Sequence, residues 1–547
     1  MTDLGTQALF GPVSGNPWQG RVVHEAIDAA AAAWPDHDAI VDGDTTLTFS
    51  ELTTRRDALA AVLAQRGVSR GTHVALYLRR SWEHVVLLHA LWRLGAVVVT
   101  LNTGWETDEL EYALNFTDAE FLIASTSVAG VAVSHRITGL GLPEHGPVTN
   151  PRFPSLRAVV GEDSDATSHE WHLQSWMRAE PGPLPEPVRT QDAVILFTSG
   201  STARPKGVIV RQESLLGSAH FFMGRLGLTD SDRFLGLGQY FHAGGLVQLL
   251  GTNLYGTAHH LFDGFQLKKI VRAVDEYGIT ATTGFDLVLS RIWDEFDRIE
   301  RPCPLHKVGC APGMAMHDRL EDAGATVVMM YAMSEAANMV SLTEPVESER
   351  DRMSNGYPLP GVTVRICDPD SGALMPAGTP GEICFAGWNL FSGYYKAPEE
   401  TSRAMDGDGF FHTGDYGWLD EKGRLYYRGR YSMMVKTGGE NVSETEVENF
   451  LVREVAGVVG AAVVGAPDER WGEAVVAFVE LAPGVAFDPH WLREACRGRI
   501  AGYKIPKRFI QVAAGDWPTS PMGKLRKQEL RIAARHEALE AKVTAPE

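Results

Sequence analysis

Cysteine is sparse in this 547-residue chain, long apolar runs are missing, and basic residues are outnumbered by acidic ones. The five cysteines (Cys303, Cys310, Cys367, Cys384 and Cys496) are scattered and form no C-x-x-C pair. That spacing indicates neither a zinc motif nor a disulfide framework. No segment approaches the roughly 20 apolar residues that span a bilayer. Residues 1–12 carry no basic stretch followed by an apolar one, so no secretory signal is expected. With 50 Lys and Arg against 69 Asp and Glu, the formal charge is −19, which argues against a nucleic-acid partner because phosphate binding needs cations concentrated on one face. The expectation is a soluble cytoplasmic protein acting on small molecules, with no membrane span; a homodimer is compatible with it.

What is present is the composition of a globular protein, 44% apolar and 22% charged. The length implies two to four structural units. Over the first 190 residues, helical and strand patterns alternate. A helix is expected through Leu59 and Leu63, a strand over 74–78, a helix through Leu91 and a β-branched strand over 95–101. Such alternation predicts an α/β sheet with helices on its faces. Residues 162–192 turn polar and gain Pro181, Pro183, Pro185 and Pro187, the texture of a surface connection without chemistry. A second α/β stretch is expected over 193–343 and a β-rich subdomain over 356–429. The last 115 or so residues read as a small α/β unit. Ser443 and Glu446 form an S-x-x-E capping box there, opening a helix with Val447, Phe450, Leu451 and Val455 on one face.

The most informative segment follows the apolar stretch 193–196: Phe197, Thr198, Ser199, Gly200, Ser201, Thr202, Ala203, Arg204, Pro205, Lys206, Gly207. Hydroxyls, glycines and two cations crowd one turn, which is what a polyphosphate requires of backbone N–H groups, O–H donors and a lysine charge. Pro205 before Lys206 excludes a Walker A loop. Alone, the segment also fits a solvated turn between two strands. Its order of residues resembles the [YF]-T-S-G-[ST]-T-G-x-P-K-G signature of the adenylate-forming superfamily, which comprises acyl-CoA synthetases, peptide-synthetase adenylation domains and luciferases. Ala203 stands where that signature has Gly, which stiffens the loop without removing a phosphate donor.

Further motifs resemble the same superfamily in the same order. Tyr331-Ala332-Met333-Ser334-Glu335 resembles Y-G-x-[ST]-E. The resemblance implies that Tyr331 stacks on adenine, Ser334 bonds the α-phosphate and Glu335 helps hold Mg²⁺, a hard cation suited to carboxylate oxygen. Gly309-Cys310-Ala311-Pro312 resembles the G-G-A-P turn against nucleotide and acyl pocket, with Cys310 adding bulk. Nothing nearby in the sequence activates Cys310 as a nucleophile. Thr413-Gly414-Asp415 and Tyr427-Arg428-Gly429-Arg430 resemble the ribose pair, Asp415 accepting and Arg430 donating. Lys436-Thr437-Gly438-Gly439-Glu440-Asn441-Val442 resembles K-x-G-G-E-N-[VI], the form typical of acid:CoA ligases, with Gly438 and Gly439 lining the pantetheine approach. Pro521-Met522-Gly523-Lys524 resembles the P-x-G-K motif, and Lys524 is then the catalytic lysine bridging carboxylate and α-phosphate.

Around the acid, the resemblance places His242, Asp286, Cys310, Met333 and Ala336. His242 is either a gate beside the pocket or a satisfied core histidine. Asp286 either pairs with a polar group of the substrate or caps the helix that begins at Leu287. Ser432 occupies the hinge position where relatives have Asp or Lys.

The implied protein is α/β. A large N-terminal domain over 1–430, with two α/β sheets and a β-rich subdomain, binds ATP and the acid. A small mobile α/β lid over 431–547 carries Lys524. The implied reaction activates a carboxylic acid as acyl-AMP with release of pyrophosphate, then transfers it to CoA. Two rivals stay open: transfer of the activated acid, including an unusual acid, to an amine or carrier protein, and a nucleotide-binding protein without catalysis.

Overall fold

The computed structural model of the chain describes all residues except 1–14, 163–169, 199–204, 311–313, 345–353, 370, 431–433, 438–439, 469, 498, 501, 520–524 and 544–547. Two large sheets dominate. In the first, strands run in the order Gly393–Tyr394, Lys206–Arg211, Asp192–Thr198, Val97–Thr100, His73–Tyr77, Phe121–Ala124, Ala158–Gly161, Gly146–Pro147. Its central strands are parallel, and the hairpin from Asp192–Thr198 to Lys206–Arg211 is antiparallel. The second sheet runs Tyr357–Pro358, Asn338–Leu342, Thr326–Met333, Lys307–Cys310, Ala281–Gly284, Arg233–Gly236, Ala258–Leu261, Asp38–Asp42, Thr45–Thr48.

The chain does not fill these sheets in sequence order. The early hairpin Asp38–Asp42 and Thr45–Thr48 joins the second sheet beside Ala258–Leu261, while Asp192–Thr198 joins the first. Division near residue 190 is therefore a division of the text and not of the sheets.

Side-chain alternation explains the layering. Along His73–Tyr77, Val74 and Leu76 enter the main core with helices Val23–Ala33, Phe49–Gln65, Trp82–Arg93, Gln212–Arg225 and Ala243–Leu254. Ala75 and Tyr77 point to a second core with Thr107–Phe116. Leu235 of the second sheet faces a third core with Leu267–Tyr277 and Asp286–Arg298, whereas Phe234 faces the main one. The helices of the main core are thus sandwiched between two sheets. Trp82–Arg93 is buried all round except at Trp82, as a helix in such a layer must be. Helix Phe49–Gln65 starts where the sequence allows: Thr48 accepts from the Glu51 N–H at 3.2 Å and Glu51 returns to the Thr48 N–H at 2.9 Å.

A four-stranded antiparallel sheet of Val362–Cys367, Gly381–Gly387, Phe411–Leu419 and Leu425–Arg430 forms the expected β-rich subdomain. Beyond it, Val458–Asp468 and Gly472–Leu481 make the core hairpin of a small unit, packed on helix Glu444–Glu454. Val447, Phe450, Leu451 and Val455 do share its buried face. The capping box is half made: Ser443 Oγ accepts from the Glu446 N–H at 3.3 Å, but the Glu446 carboxylate takes Lys504 instead. Among the described residues no helix is long and apolar enough to cross a membrane.

The 162–192 connection differs from expectation. Glu162 is 2% exposed, accepts from Ser81 and Ser125 and faces Arg79, and Leu173–Arg178 is a helix with Trp176 buried. A polar stretch reads as surface only if its polar groups lack partners inside, and Glu162 has them.

Candidate functional site

The hairpin Asp192–Thr198 to Lys206–Arg211 pairs Thr198 directly with Lys206, so both ends of the intervening turn are fixed by the ladder. Ser199, Gly200, Ser201 and Thr202 lie outside the described residues, as do Ala311, Ser432, Gly438, Gly439 and Lys524, and the side chains of Asp286, Cys310 and Lys436.

From Lys206 the site continues through a residue that the sequence did not single out. Lys206 Nζ stands 4.8 Å from the centre of the Tyr394 ring, a cation–π distance. The Tyr394 hydroxyl donates to Glu335 Oε1 at 3.0 Å. Tyr394 reaches this place because Gly393–Tyr394 adds to the edge of the phosphate-loop hairpin, Val208 opposite Tyr394. Glu335 sits in the 3-10 turn Ser334–Ala336 that follows strand Thr326–Met333. Its backbone C=O is held by the Phe391 N–H at 2.9 Å. Ala337 closes the turn at φ 47°.

The third part is a buried carboxylate. Asp415, 4% exposed, accepts from the Tyr331 hydroxyl at 2.7 Å through Oδ2 and from Arg430 Nε at 3.2 Å through Oδ1. Asp415 and Arg430 are cross-strand partners, which is why they meet. Gly414 precedes Asp415 at φ +69°, a backbone conformation that glycine adopts without a steric cost. Burial raises the Asp415 carboxyl above its usual range, although Tyr331 and Arg430 act the other way. For Arg430, burial opposes the charge, but Asp415 and Glu335 outweigh it and hold the guanidinium firmly protonated. Burial, then the Glu335 carboxylate, pushes the Tyr394 phenol up, so it remains a donor. Lys206, Tyr394 and Glu335 thus form one chain of contacts and Tyr331, Asp415 and Arg430 another, close enough that Glu335 acts electrostatically on Arg430; together they hold two cations and two carboxylates.

Several expected residues occupy different surroundings from those the motifs imply. Tyr331 is 4% exposed, its ring covered by Tyr427 at 5.5 Å between centroids and 30° between planes. Tyr427, 37% exposed, is the ring presented outward. Gly309 is needed for packing, since a Cβ there would lie 2.4 Å from Phe222 Cζ and 3.0 Å from Thr283 Cγ2. His242 is exposed beside Phe241 (ring centroids 4.7 Å apart) and precedes helix Ala243–Leu254, so it is not a core histidine. Met333 is half-buried, and Ala336 is wholly buried in the main core. Phe285 takes the N-cap position of helix Asp286–Arg298, and Asp286 is its first residue; the cap reading of Asp286 is one position off. Tyr394 stands at no motif position, and Tyr427 opens the ribose segment without a role that the motif gives it.

Comparison with known proteins identifies the family. The family model described as AMP-binding enzyme matches residues 27–395, and that described as AMP-binding enzyme C-terminal domain matches 446–524. A 2-succinylbenzoate–CoA ligase of Geobacillus kaustophilus is 31% identical over 502 residues, covering 91% of this chain and 95% of that protein. ATP-bound MatB from Rhodopseudomonas palustris superposes with a TM-score of 0.80 at 27% identity, over 93% of this chain and 98% of that one. The o-succinylbenzoate CoA synthetase MenE of Bacillus subtilis, in complex with its acyl-adenylate intermediate, gives 0.76 at 25% identity, over 92% and 97%. The chain belongs to the AMP-binding enzyme family, within the adenylate-forming superfamily of acyl-CoA synthetases and CoA ligases.

Proposed function

We propose that the cluster around Glu335 and Asp415 is the adenylation site of an AMP-forming acid:CoA ligase, with residues 1–430 as its ATP- and acid-binding domain and 431–547 as its lid. The observation that carries this reading is the Lys206–Tyr394–Glu335 chain beside the Asp415–Arg430 pair. It sets a phosphate-binding cation and a cation-binding carboxylate next to a hydroxyl-binding carboxylate and guanidinium, the donor set that a nucleoside triphosphate needs.

A carboxylate is a poor electrophile because its leaving group would be oxide. Attack of a carboxylate oxygen of the acid on the α-phosphorus of ATP expels pyrophosphate and gives an acyl-AMP. The CoA sulfur then attacks the acyl carbon, and AMP leaves. In this assignment Asp415 and Arg430 grip the ribose hydroxyls and the Tyr331–Tyr427 pair supplies the aromatic wall. Thr198, Ser199, Gly200, Ser201, Thr202 and Lys206 hold the phosphates, with Ser334 at the α-phosphate. Gly309 and Ala311 shape the nucleotide side; His242, Asp286, Cys310 and Met333 border the acid, whereas Ala336 is buried in the main core. Lys524 bridges the acid carboxylate and α-phosphate, where a preorganised cation stabilises charge as it develops. Rotation about Ser432 then replaces Lys524 by the face of Lys436, Gly438 and Gly439, along which the thiol approaches.

Glu335 also fits a Mg²⁺ ligand: Tyr394 orients the carboxylate through Oε1, and Oε2 accepts no hydrogen bond among the described residues. Mg²⁺ bound there supplies positive charge to the phosphates. The test is mass spectrometry of products from ATP, Mg²⁺ and a panel of carboxylic acids, with and without CoA. Acyl-CoA and AMP formed together support the reading; AMP formed equally without CoA and accompanied by no thioester defeats it.

A further inference from the structure

Away from the nucleotide cluster, the four-stranded sheet brings together three side chains with metal-ligating atoms. Cys384 and His412 face each other across strands Gly381–Gly387 and Phe411–Leu419. Glu382 lies two residues before Cys384, so by strand alternation it shares that face, and the irregular register between Glu382 and Cys384 turns its carboxylate toward the imidazole. His412 Nδ1 is 3.5 Å from Cys384 Sγ and 2.8 Å from Glu382 Oε2, and one ligand atom from each residue lies within 4.8 Å of the others. This is the one such group among the described residues. The absence of a C-x-x-C pair excludes a ligand set local in sequence, but strand register assembles one from positions 382, 384 and 412.

We propose that Glu382, Cys384 and His412 form a binding site for a borderline-soft divalent cation of the Zn²⁺ type, separate from the hard-cation position at Glu335. Thiolate, imidazole and carboxylate are the donors such ions select. Tetrahedral bonds of usual length would separate sulfur from nitrogen by about 3.6 Å and nitrogen from oxygen by about 3.4 Å. The first matches the 3.5 Å observed, and the second asks the carboxylate to retreat by roughly half an ångström from its present hydrogen bond with the imidazole. A dication is balanced by the thiolate and the carboxylate together. Ligation displaces the thiol proton to solvent and leaves the imidazole proton on Nε2. That nitrogen already faces Asp406 Oδ2 at 3.5 Å, the outer carboxylate that metal-bound histidines usually have. Asp406 is itself fixed by the N–H groups of Asp408 and Phe410, each at 2.9 Å. Arg365, the cation of the neighbouring strand, is paired with Asp406 and Asp408. Cys384 is buried, while Glu382 and His412 keep 14% and 28% of their side-chain surface, so an ion has a route in. Glu382 Oε1 holds the Gly414 N–H at 2.8 Å, so an ion here steadies the segment that carries Asp415.

The test titrates Co²⁺ into the chelator-treated full-length protein with Mg²⁺ in excess to occupy hard sites. A near-ultraviolet thiolate-to-cobalt charge-transfer band should saturate at a single equivalent and disappear when Zn²⁺ is added. Cys384→Ser should abolish the band, Cys303→Ser should leave it, and His412→Gln and Asp406→Asn should each weaken Co²⁺ binding by roughly tenfold or more, with circular dichroism verifying the fold. The absence of a band in the wild type, or its survival in Cys384→Ser, overturns the proposal. Should Cys384→Ser not fold, unchanged affinity in folded His412→Gln overturns it equally.

Discussion

Replacing Tyr394 by Phe removes one hydroxyl from the centre of the site and leaves the ring in place. The ring keeps its 4.8 Å contact with Lys206, and its packing against Phe391 at 4.9 Å is untouched. What is lost is the 3.0 Å hydrogen bond to Glu335 Oε1. A hydrogen bond to a charged acceptor contributes about 1.5–3 kcal/mol. Glu335 is half-buried and keeps access to water, so solvent recovers part of this, and the stability change should be about 1 kcal/mol or less. The larger effect falls on orientation. Outer partners of metal-ligating carboxylates are worth roughly 10–100-fold in metal affinity. If Glu335 holds Mg²⁺, Tyr394→Phe should raise the Mg²⁺ concentration for half-maximal pyrophosphate release about tenfold, and saturating Mg²⁺ should restore most of the rate. The assay is pyrophosphate release at fixed ATP and acid against a Mg²⁺ series, with thermal unfolding as control. An unchanged Mg²⁺ dependence in a folded, active variant refutes the role given to Tyr394.

Other consequences follow from the same geometry. Asp415→Asn removes the charge that Tyr331 and Arg430 both address, so KM for ATP should rise roughly 10- to 100-fold with the fold retained; an unchanged KM would remove Asp415 from the ribose site. Gly309→Ala forces a methyl to within 2.4 Å of Phe222 Cζ and should cost about 1–3 kcal/mol, seen as a lower Tm that Phe222→Leu partly restores; an unaltered Tm would contradict the packing. Acid should destabilise the protein steeply. Burial lowers His84 and His220 to about 4 and His89, His259 and His260 to about 3, from 6.5. As pH falls below 6.5 the unfolded chain therefore gains five protons that the folded chain refuses. Burial raises Glu162 from 4.5 to about 7 and raises Asp42, Asp415 and Glu448 as well, so at these carboxyls the folded state gains protons first and offsets part of the histidine effect. At about 1.4 kcal/mol per proton per pH unit, these five histidines set an upper limit of about 7 kcal/mol per pH unit between pH 6.5 and 4.5, which the carboxyls reduce. Denaturant unfolding across that range tests it, and a flat profile would show that these imidazoles are not buried as described.

Local signals carried much of the architecture. The strands near 74–78 and 95–101, the helix through Leu59 and Leu63 and the Ser443 start of helix Glu444–Glu454 all follow from periodicity and capping chemistry that act over a few residues. Motif order gave Lys206, Glu335, Asp415 and Arg430; strand pairing sets Asp415 beside Arg430, and Tyr394 links Lys206 to Glu335. Non-local pairing was invisible. Nothing around Tyr394 announces that its short strand docks beside Lys206–Arg211, nearly two hundred residues earlier, because an edge strand is chosen by the ladder it meets. The docking of Asp38–Asp42 against Ala258–Leu261 and the meeting of Cys384 with His412 are of the same kind. Glu162 misled in the opposite direction: a charged residue in a polar, proline-rich stretch is normally solvated, and only the folded chain shows Ser81, Ser125 and Arg79 around it.

The most direct test of the central claim is acid-dependent exchange of labelled pyrophosphate into ATP, in the wild type and in Lys524→Ala, followed by addition of CoA. The account predicts exchange with some members of an acid panel, its loss in Lys524→Ala despite retained ATP binding, and an acyl-CoA product once CoA is supplied. Exchange that persists undiminished in Lys524→Ala, or no exchange with any acid while ATP still binds, would contradict it.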